Sequence, residues 1–344
     1  MINAIAIAIG QARIGAAGPP VATAATSVTT SSFTANWNAY SGASFYLLDV
    51  STSSTFTTFV AGYQDLIVMS TSQSVTGLTA GTYYYRVRAA TQVDVDNAAF
   101  MSRLYTAGGS MTYTEATATD QLVTNLKTYG IWTAMKAVYP MVGSSAAACA
   151  QNLKSSSYTG SFSSGWTFAS TGVTPNGTSA YMNTNLICET DLFGKDSSIG
   201  YYSRTNNSGL YAEIGNFGTS LHDSIGFYTN LSNIFYLDYP NEEQRNTTSN
   251  TNSTGFYLAN NSSSVGKTLF RNSTKIINTS FSNFDFPITA NPKITIGATY
   301  LGTGGRYSNR QIAFAYFATA LTDTQASDFY TAVQAFQTTL SRQV

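Results

Sequence analysis

VTGLTAGTYYYRVRA, residues Val75 to Ala89, decides how the first part of the chain folds. Tyr83, Tyr85, Val87 and Ala89 fall at every second position, so an extended chain carries all four on one face and Arg86 and Arg88 on the other. Val75 to Leu78 and then Ala80, Gly81 and Thr82 form the loop that feeds this strand, whose aromatic first residue can brace the corner. Working outward, Phe33, Ala35 and Trp37 share one face of an earlier strand, and Phe45 to Val50 forms another. From Pro20 to about Thr91 such strands recur at short intervals between Gly and Ser/Thr turns, the pattern of a small β-sandwich.

At these residues the segment resembles a fibronectin type III module, in which a strand-borne Trp, a later Tyr and a Leu-x-x-Gly-Thr corner precede a Tyr-rich strand. Ala80 stands where that family usually has Pro, and the gap from Leu78 to Tyr83 is one residue short, so the corner Tyr is Tyr83 or Tyr84. The resemblance implies a fibronectin III/Ig-like domain over residues 20–92 with a spacer or adhesion role.

Before it, Ile5, Ile7 and Ile9 alternate with Ala4, Ala6 and Ala8, which puts every Ile on one strand face and requires a sheet to join. Gly10, Gly15, Gly18, Pro19 and Pro20 then break the chain. Residues 1–19 therefore read as an anchoring arm, outside any domain, that docks by adding a strand to a neighbouring protein's sheet. No basic segment precedes the apolar start, so the expectation is a chain that acts without Sec export.

Composition narrows the chemistry. Charged residues are 10% of the 344, against about 25% in an average soluble protein, while 43% are hydrophobic. Lys plus Arg and Asp plus Glu each number 17, so no net field draws the chain to nucleic acid or anionic membranes, and neither is expected as a partner. The single histidine, His222, and the two cysteines, Cys149 and Cys188, exclude His/Cys zinc clusters and a disulfide-dense scaffold, and no metal or cofactor is expected. The cysteines read as free buried thiols, with one bridge between them as the other option. No stretch approaches the roughly 20 apolar residues of a membrane helix.

Residues 93–143 read as a helical connector. Leu122, Val123 and Leu126 predict a helix over Asp120–Lys127, Ile131, Ala134, Met135 and Val138 predict a second, Gly130 separates them and Pro140 stops the second. Residues 144–344 read as a larger β domain. Its predicted strands include Ile199–Ser203, Leu210–Ile214, Ser224–Thr229, Thr254–Ala259, Thr268–Asn272 and Lys293–Ala298, and their number favours a two-sheet jelly roll. The chain closes in a helix in which Thr322 and Gln325 form a capping box and Phe329, Val333, Phe336 and Leu340 make one apolar stripe, a structural clamp.

The ordered run LKTYGIWTAMKAVYPMVG, GWTFASTGVTPNGTSAYMNT, GYYSRTNN and LTDTQASDFYTAVQAFQTTLSRQV resembles a module of virion proteins of tailed bacteriophages, particularly those of Bacteroides-like and Flavobacterium-like hosts. That module resembles the concanavalin A-like lectin/glucanase sandwich and covers about residues 97–344. The resemblance implies a mainly β virion structural protein without enzymatic activity, on a fibre, decoration or appendage of the capsid, at the virion surface. Its implied partners are other capsid or tail proteins through the arm, copies of itself in a homo-oligomer, and host-surface or mucus glycans. The alternatives are a tail-fibre receptor-binding protein and a bacterial cell-surface glycan-binding protein.

Glycosidases need two carboxylates at a defined separation. Glu189 and Asp191 are the one such pair, sharing a face if they lie in a strand, but Gly194 stands where glucanase relatives carry their last Glu. Asp94 and Asp96 fall short of the six to eight oxygens calcium takes. His222 beside Asp223 lacks a nucleophile in register, and Gly302 to Gly305 lacks the context of a phosphate loop. Glycan contact is assigned to Tyr201, Tyr202 and Arg204, which offer flat aromatic faces and a donor fork, although alternation sends one of the two tyrosines to the core. The sequons at Asn246, Asn252, Asn272 and Asn278 read as turn chemistry.

Overall fold

A computed structural model describes residues 1–7, 20–192, 196–218, 225–239, 245–262, 266–279, 293–301 and 305–344. The chain is mainly β, a small two-sheet sandwich followed by a larger two-sheet sandwich with flanking helices. It divides into two compact units, Met1–Ala98 with Ser110–Ala116, and Ala99–Gly109 with Thr117–Val344.

In the first unit β1 (Ile2–Ala6), β2 (Ala22–Thr26), β3 (Phe33–Trp37), β4 (Phe45–Ser51), β5 (Leu66–Val68), β6 (Ser72–Val75) and β7 (Gly81–Ala90) form two sheets, in the orders β1-β7-β4-β5 and β2-β3-β6. The period-two reading of β7 holds: Tyr83, Tyr85, Val87 and Ala89 are buried, and Phe33, Ala35 and Trp37 meet them from the facing sheet. Phe33 lies 5.7 Å from Tyr85, and Trp37 meets Tyr46 edge-on at 5.6 Å. The corner residue is Tyr83. Its hydroxyl donates to Thr79 O at 3.0 Å and accepts from Thr79 N at 3.2 Å, satisfying the loop backbone just before the strand. Tyr83→Phe should lower this unit's stability by about 0.5–1.5 kcal/mol in a urea titration, the net worth of a hydrogen bond, while Tyr84→Phe should leave the midpoint in place.

The arm finds its sheet at home. β1 pairs in parallel with β7, from Ile2 beside Gly81 to Ala6 beside Tyr85, and Ile7 N donates to Tyr85 O at 2.9 Å. Ile2 is buried, and Ala4 and Ala6 pack on the same core. The reading of Ile5 and Ile7 as an anchoring row outside any domain is therefore corrected. The residues that seat the strand, Ile2, Ala4 and Ala6, are on the other face, and Ile5 stays 37% exposed. Ile9 lies outside the described residues.

Two helices follow, α1 (Val95–Thr106) and α2 (Tyr113–Thr128). Asp94 accepts from Asp96 N at 2.9 Å, so this pair shapes a helix start rather than a cation site. Thr112 and Glu115 form a capping box ahead of α2, with Glu115 N to Thr112 Oγ1 at 3.1 Å and Thr112 N to Glu115 Oε2 at 2.8 Å. Leu122, Val123 and Leu126 are buried on α2 as the spacing predicts. Gly130, at φ +67°, ends it, and Ile131 N reaches back to Leu126 O at 2.8 Å. The second predicted helix is absent. One 3-10 turn, Trp132–Ala134, leads into the strand Met135–Tyr139, which pairs with Ile312–Ala318. Four of its five residues are buried, a fully covered strand whose apolar run fits both periods. The connector boundary at residue 143 is corrected with it, since this strand belongs to the second unit's sheet.

The second unit stacks two large sheets. The described strands of one run in the order Trp166–Ala169, Gly172–Pro175, Ile312–Ala318, Ser197–Ser203, Gly255–Ser262, Gly266–Arg271 and Thr274–Thr279, with Met135–Tyr139 also on Ile312–Ala318. The other runs Asn246–Ser249, Ile234–Asp238, Gly226–Leu231, Ile214–Gly218, Lys293–Ile296, Met182–Ile187 and Ser161–Phe162, extended by Ala298–Leu301 and Gly305–Tyr307. Their inner faces share one core that includes Ile199, Tyr201, Phe227, Phe235, Tyr257 and Phe317. Of the predicted strands, the one over Leu210–Ile214 is misplaced: the strand begins at Ile214 and the residues before it are loop.

The outer face of the first of these sheets is also apolar, with Phe256, Phe314 and Tyr316, and the helix Asp323–Thr339 covers it. The Thr322 and Gln325 capping box starts this helix, and Phe329, Val333 and Phe336 are buried as predicted, whereas Leu340 is only half-buried. Beyond it Arg342 is fully buried and donates to Pro140 O, Met141 O and Ala313 O at 2.7–3.0 Å. The Cys149 thiol is buried and donates to Val142 O at 3.3 Å.

Candidate functional site

Four loop segments of the larger sandwich are bound together by side-chain amides and hydroxyls. They follow the strands Ser197–Ser203, Gly226–Leu231 and Asn246–Ser249 and precede Ile312–Ala318. Ser253 is the knot between two of them: its N–H donates to Asn206 Oδ1 at 3.0 Å, its hydroxyl donates to Thr205 O at 2.9 Å, and it accepts from Asn207 N at 3.0 Å. Asn207 Nδ2 donates to Asn309 Oδ1 at 2.9 Å, Gly209 N to Asn230 O at 2.9 Å, and Asn250 N to Asn233 O at 2.7 Å. The loops are thereby held without a helix or ladder, which is what Asn, Ser and Thr do with backbone that secondary structure leaves unpaired.

A buried ion pair anchors this rim from below. Arg310 and Glu213 are both fully buried, with Nη1 at 2.5 Å from Oε1, and the second terminal guanidinium nitrogen, Nη2, donates to Asn207 O at 2.8 Å and Asn230 O at 3.0 Å. Glu213 also accepts from Ser308 Oγ at 3.1 Å and Thr229 Oγ1 at 2.5 Å. The half-buried ring of Tyr211 lies 5.0 Å from the Arg310 guanidinium. Gly209 makes room for it, since a Cβ there would sit 2.2 Å from Tyr211 Cε2. Ser253, Ser308, Thr229, Asn230 and Asn250 are buried within this framework, and Asn206, Ser208, Ser232 and Asn233 are the exposed amides and hydroxyls it carries, with the half-buried ring of Tyr211. The segments 204–211, 229–233, 250–254 and 308–311 contain no carboxylate at all, and their only cations are Arg204 and the neutralised Arg310.

The glycan residues expected from sequence do not form a surface platform. Tyr201 and Tyr202 are both fully buried. Tyr201 stacks on Tyr257 at 5.5 Å and hydrogen-bonds Thr229, and burial, then the Glu213 charge, push its phenol well above its ordinary value. Tyr202 does point away from that core, as alternation requires, but into the layer under the C-terminal helix, where its hydroxyl donates to Gln334 at 3.1 Å and accepts from Val344 N at 2.9 Å. Arg204 is tied to Arg342 O at 2.6 Å and to Gln311, and burial lowers its affinity for a proton. It borders the rim as a brace.

The carboxylate pair fares similarly. Cys188–Asp191 is a short helical turn, so positions two apart do not share a face. Asp191 accepts from Ile187 N and from Tyr158 OH, both at 2.7 Å, which is a turn-fastening role. The side chains of Cys188 and Glu189, and all of Gly194, His222, Asp223 and Gly302 to Gly304, lie outside the described residues. No group of three metal-ligating side chains occurs among the described residues. Among the sequons, Asn252 and Asn272 do act in turns, accepting from Thr254 N and Phe256 N at 2.9 Å, whereas Asn246 and Asn278 lie in strands. The rim was not singled out from sequence; the amides that hold it, Asn206, Asn207, Asn230, Asn233, Asn250 and Asn309, are the signal that marks it.

No protein-family model matches the chain, and no curated protein matches it. Among solved structures it is similar to a Trypanosoma rangeli sialidase mutant displaying trans-sialidase activity, at 6% identity and a TM-score of 0.45, over 63% of this chain and 39% of that one. It is similar to botulinum neurotoxin type C, a protein described as interacting with two ganglioside molecules, at 15% identity and 0.44, over 60% and 53%. It is also similar to domain 4 of AbnA, an extracellular arabinanase from Geobacillus stearothermophilus solved with arabinotriose, at 8% and 0.41, over 57% and 98%. The chain spans 24% of the length of the Streptococcus pneumoniae NanB sialidase it matches. These are distant likenesses, and no residue role is carried over from them.

Proposed function

We propose that this chain is a non-catalytic adhesion protein of a tailed-bacteriophage particle, and that its larger sandwich binds glycans through the amide-rich rim around Tyr211. The observation that carries the binding reading is the rim itself. Sugars are recognised by planar amide and hydroxyl partners beside a flat ring, and here such groups are held in place by the buried Glu213 and Arg310 pair rather than ordered on binding. Glu213, the carboxylate beneath the rim, is fully buried and held by Arg310, Thr229 and Ser308, so it is not presented as an acid or base to a glycoside, which supports binding over turnover. The particle assignment rests on the ordered four-motif resemblance, and the smaller sandwich then serves as spacer.

Two measurements test this reading. The full chain on a glycan array should retain one class of saccharide without releasing products from it, and hydrolysis would overturn the non-catalytic part. Gold-labelled antibody against the chain should decorate intact phage particles, and label confined to the bacterial envelope would favour a cell-surface protein instead.

A further inference from the structure

We infer that the rim selects an uncharged saccharide bearing a methyl group, and that Leu210 is the residue that reads the methyl. This rests on the glycan-binding reading above and names the ligand class for it. Two separate observations carry it: the state of the rim's charges, and one apolar side chain that the larger sandwich leaves in water.

A sialic or uronic acid needs a cation free to meet its carboxylate. Both guanidinium groups of the rim segments are engaged. Arg310 is fully buried against Glu213, and Arg204 donates to Arg342 O at 2.6 Å and to Gln311. Arg271, which borders the segment 250–254, donates to Thr254 O at 3.1 and 3.3 Å. A ligand carboxylate would shed water and meet no available positive charge, which is unfavourable. A cationic sugar fares no better, because the four segments contain no Asp or Glu. The exposed Asn206, Ser208, Ser232 and Asn233 are neutral donors and acceptors, matched to sugar hydroxyls.

Leu210 is 42% exposed, and among the described residues of the second unit only Val344 is another large apolar side chain left so open. Its position is built. Gly209 N donates to Asn230 O and Tyr211 N donates to Gly209 O, both at 2.9 Å, so residues 209–211 form a three-residue turn with Leu210 at its centre. The Tyr211 ring folds back over Gly209, where any Cβ would collide with it, while Leu210 stays in solvent. An apolar side chain fixed in this way among neutral polar groups complements a ligand that shows a methyl beside its hydroxyls. A 6-deoxy sugar and an N-acetylated sugar share that chemistry.

The test applies the full chain to an array carrying several neutral parent sugars, each beside its 6-deoxy, N-acetylated and carboxylated forms, and then titrates the best-retained set. One methyl-bearing form should bind about fourfold more tightly than its parent, the worth of burying one methyl group, and which form it is identifies the source of the methyl. The carboxylated form should bind more weakly than the parent. Leu210→Ser, at an exposed position, should bring the methyl-bearing form down to the affinity of its parent with an unchanged melting curve. Tightest binding of a carboxylated form overturns the inference, as does equal affinity for methyl-bearing and parent sugars or a preference that survives Leu210→Ser. In those three cases saccharide is still bound and the glycan-binding reading stands, whereas an array that retains nothing overturns both.

Discussion

Arg310→Met should destabilise the larger sandwich by about 3–5 kcal/mol, the usual cost of removing one partner from a buried ion pair. The size follows from what remains behind. Glu213 is left fully buried without its ion-pair partner, and the carbonyls of Asn207 and Asn230 lose the donor they share. Thr229 and Ser308 still donate to the carboxylate, so the loss is less than that of a naked charge. Glu213→Gln with Arg310→Met should cost less than the two single changes added together, because removing both charges leaves neither stranded. Chemical denaturation of the four proteins gives the coupling directly. Equal and additive losses would mean that the pair does not act as a unit, and the loops it anchors would need another explanation for their order.

Phe329→Ala is expected to cost a similar about 3–5 kcal/mol, through packing alone. Its ring is the hub of the layer between helix and sheet, 4.5 Å from Tyr316, 5.4 Å from Phe256 and 6.1 Å from Phe314. Few domains hold more than about 5–15 kcal/mol in total, so the melting temperature should fall clearly. Leu340→Ala, at a half-buried position beyond the helix, should matter far less. If Phe329→Ala melted normally but changed the mass of the protein in solution, the helix would be an oligomerisation surface and not a clamp.

How far the sequence revealed the fold depends on how many faces each element buries. β7 and β3 bury one face, and their period of two was plain. Met135–Tyr139 buries nearly everything, so its apolar residues satisfied helical spacing equally well. The same cause displaced the glycan residues. Alternation correctly separated Tyr201 from Tyr202, but the face that should have met solvent is roofed by the C-terminal helix, a tertiary fact that no local pattern carries. At the N-terminus the strand was recognised and its partner was not, because parallel pairing with β7 joins residues about 80 positions apart. The rim escaped notice for a different reason. Its amides come from segments scattered between residues 204 and 311, and the ion pair beneath them joins Glu213 to Arg310 across 97 positions.

Titration of the best-retained saccharide into the wild-type chain and into Tyr211→Ala tests glycan binding at the rim most directly. Losing the ring should weaken binding about two- to tenfold, in line with about 0.5–1.5 kcal/mol for an aromatic contact, with the fold retained and the melting temperature lowered only slightly by the lost contact with Arg310. Identical affinities for the two proteins, or no saccharide bound by either, would contradict the assignment of the rim as the binding site.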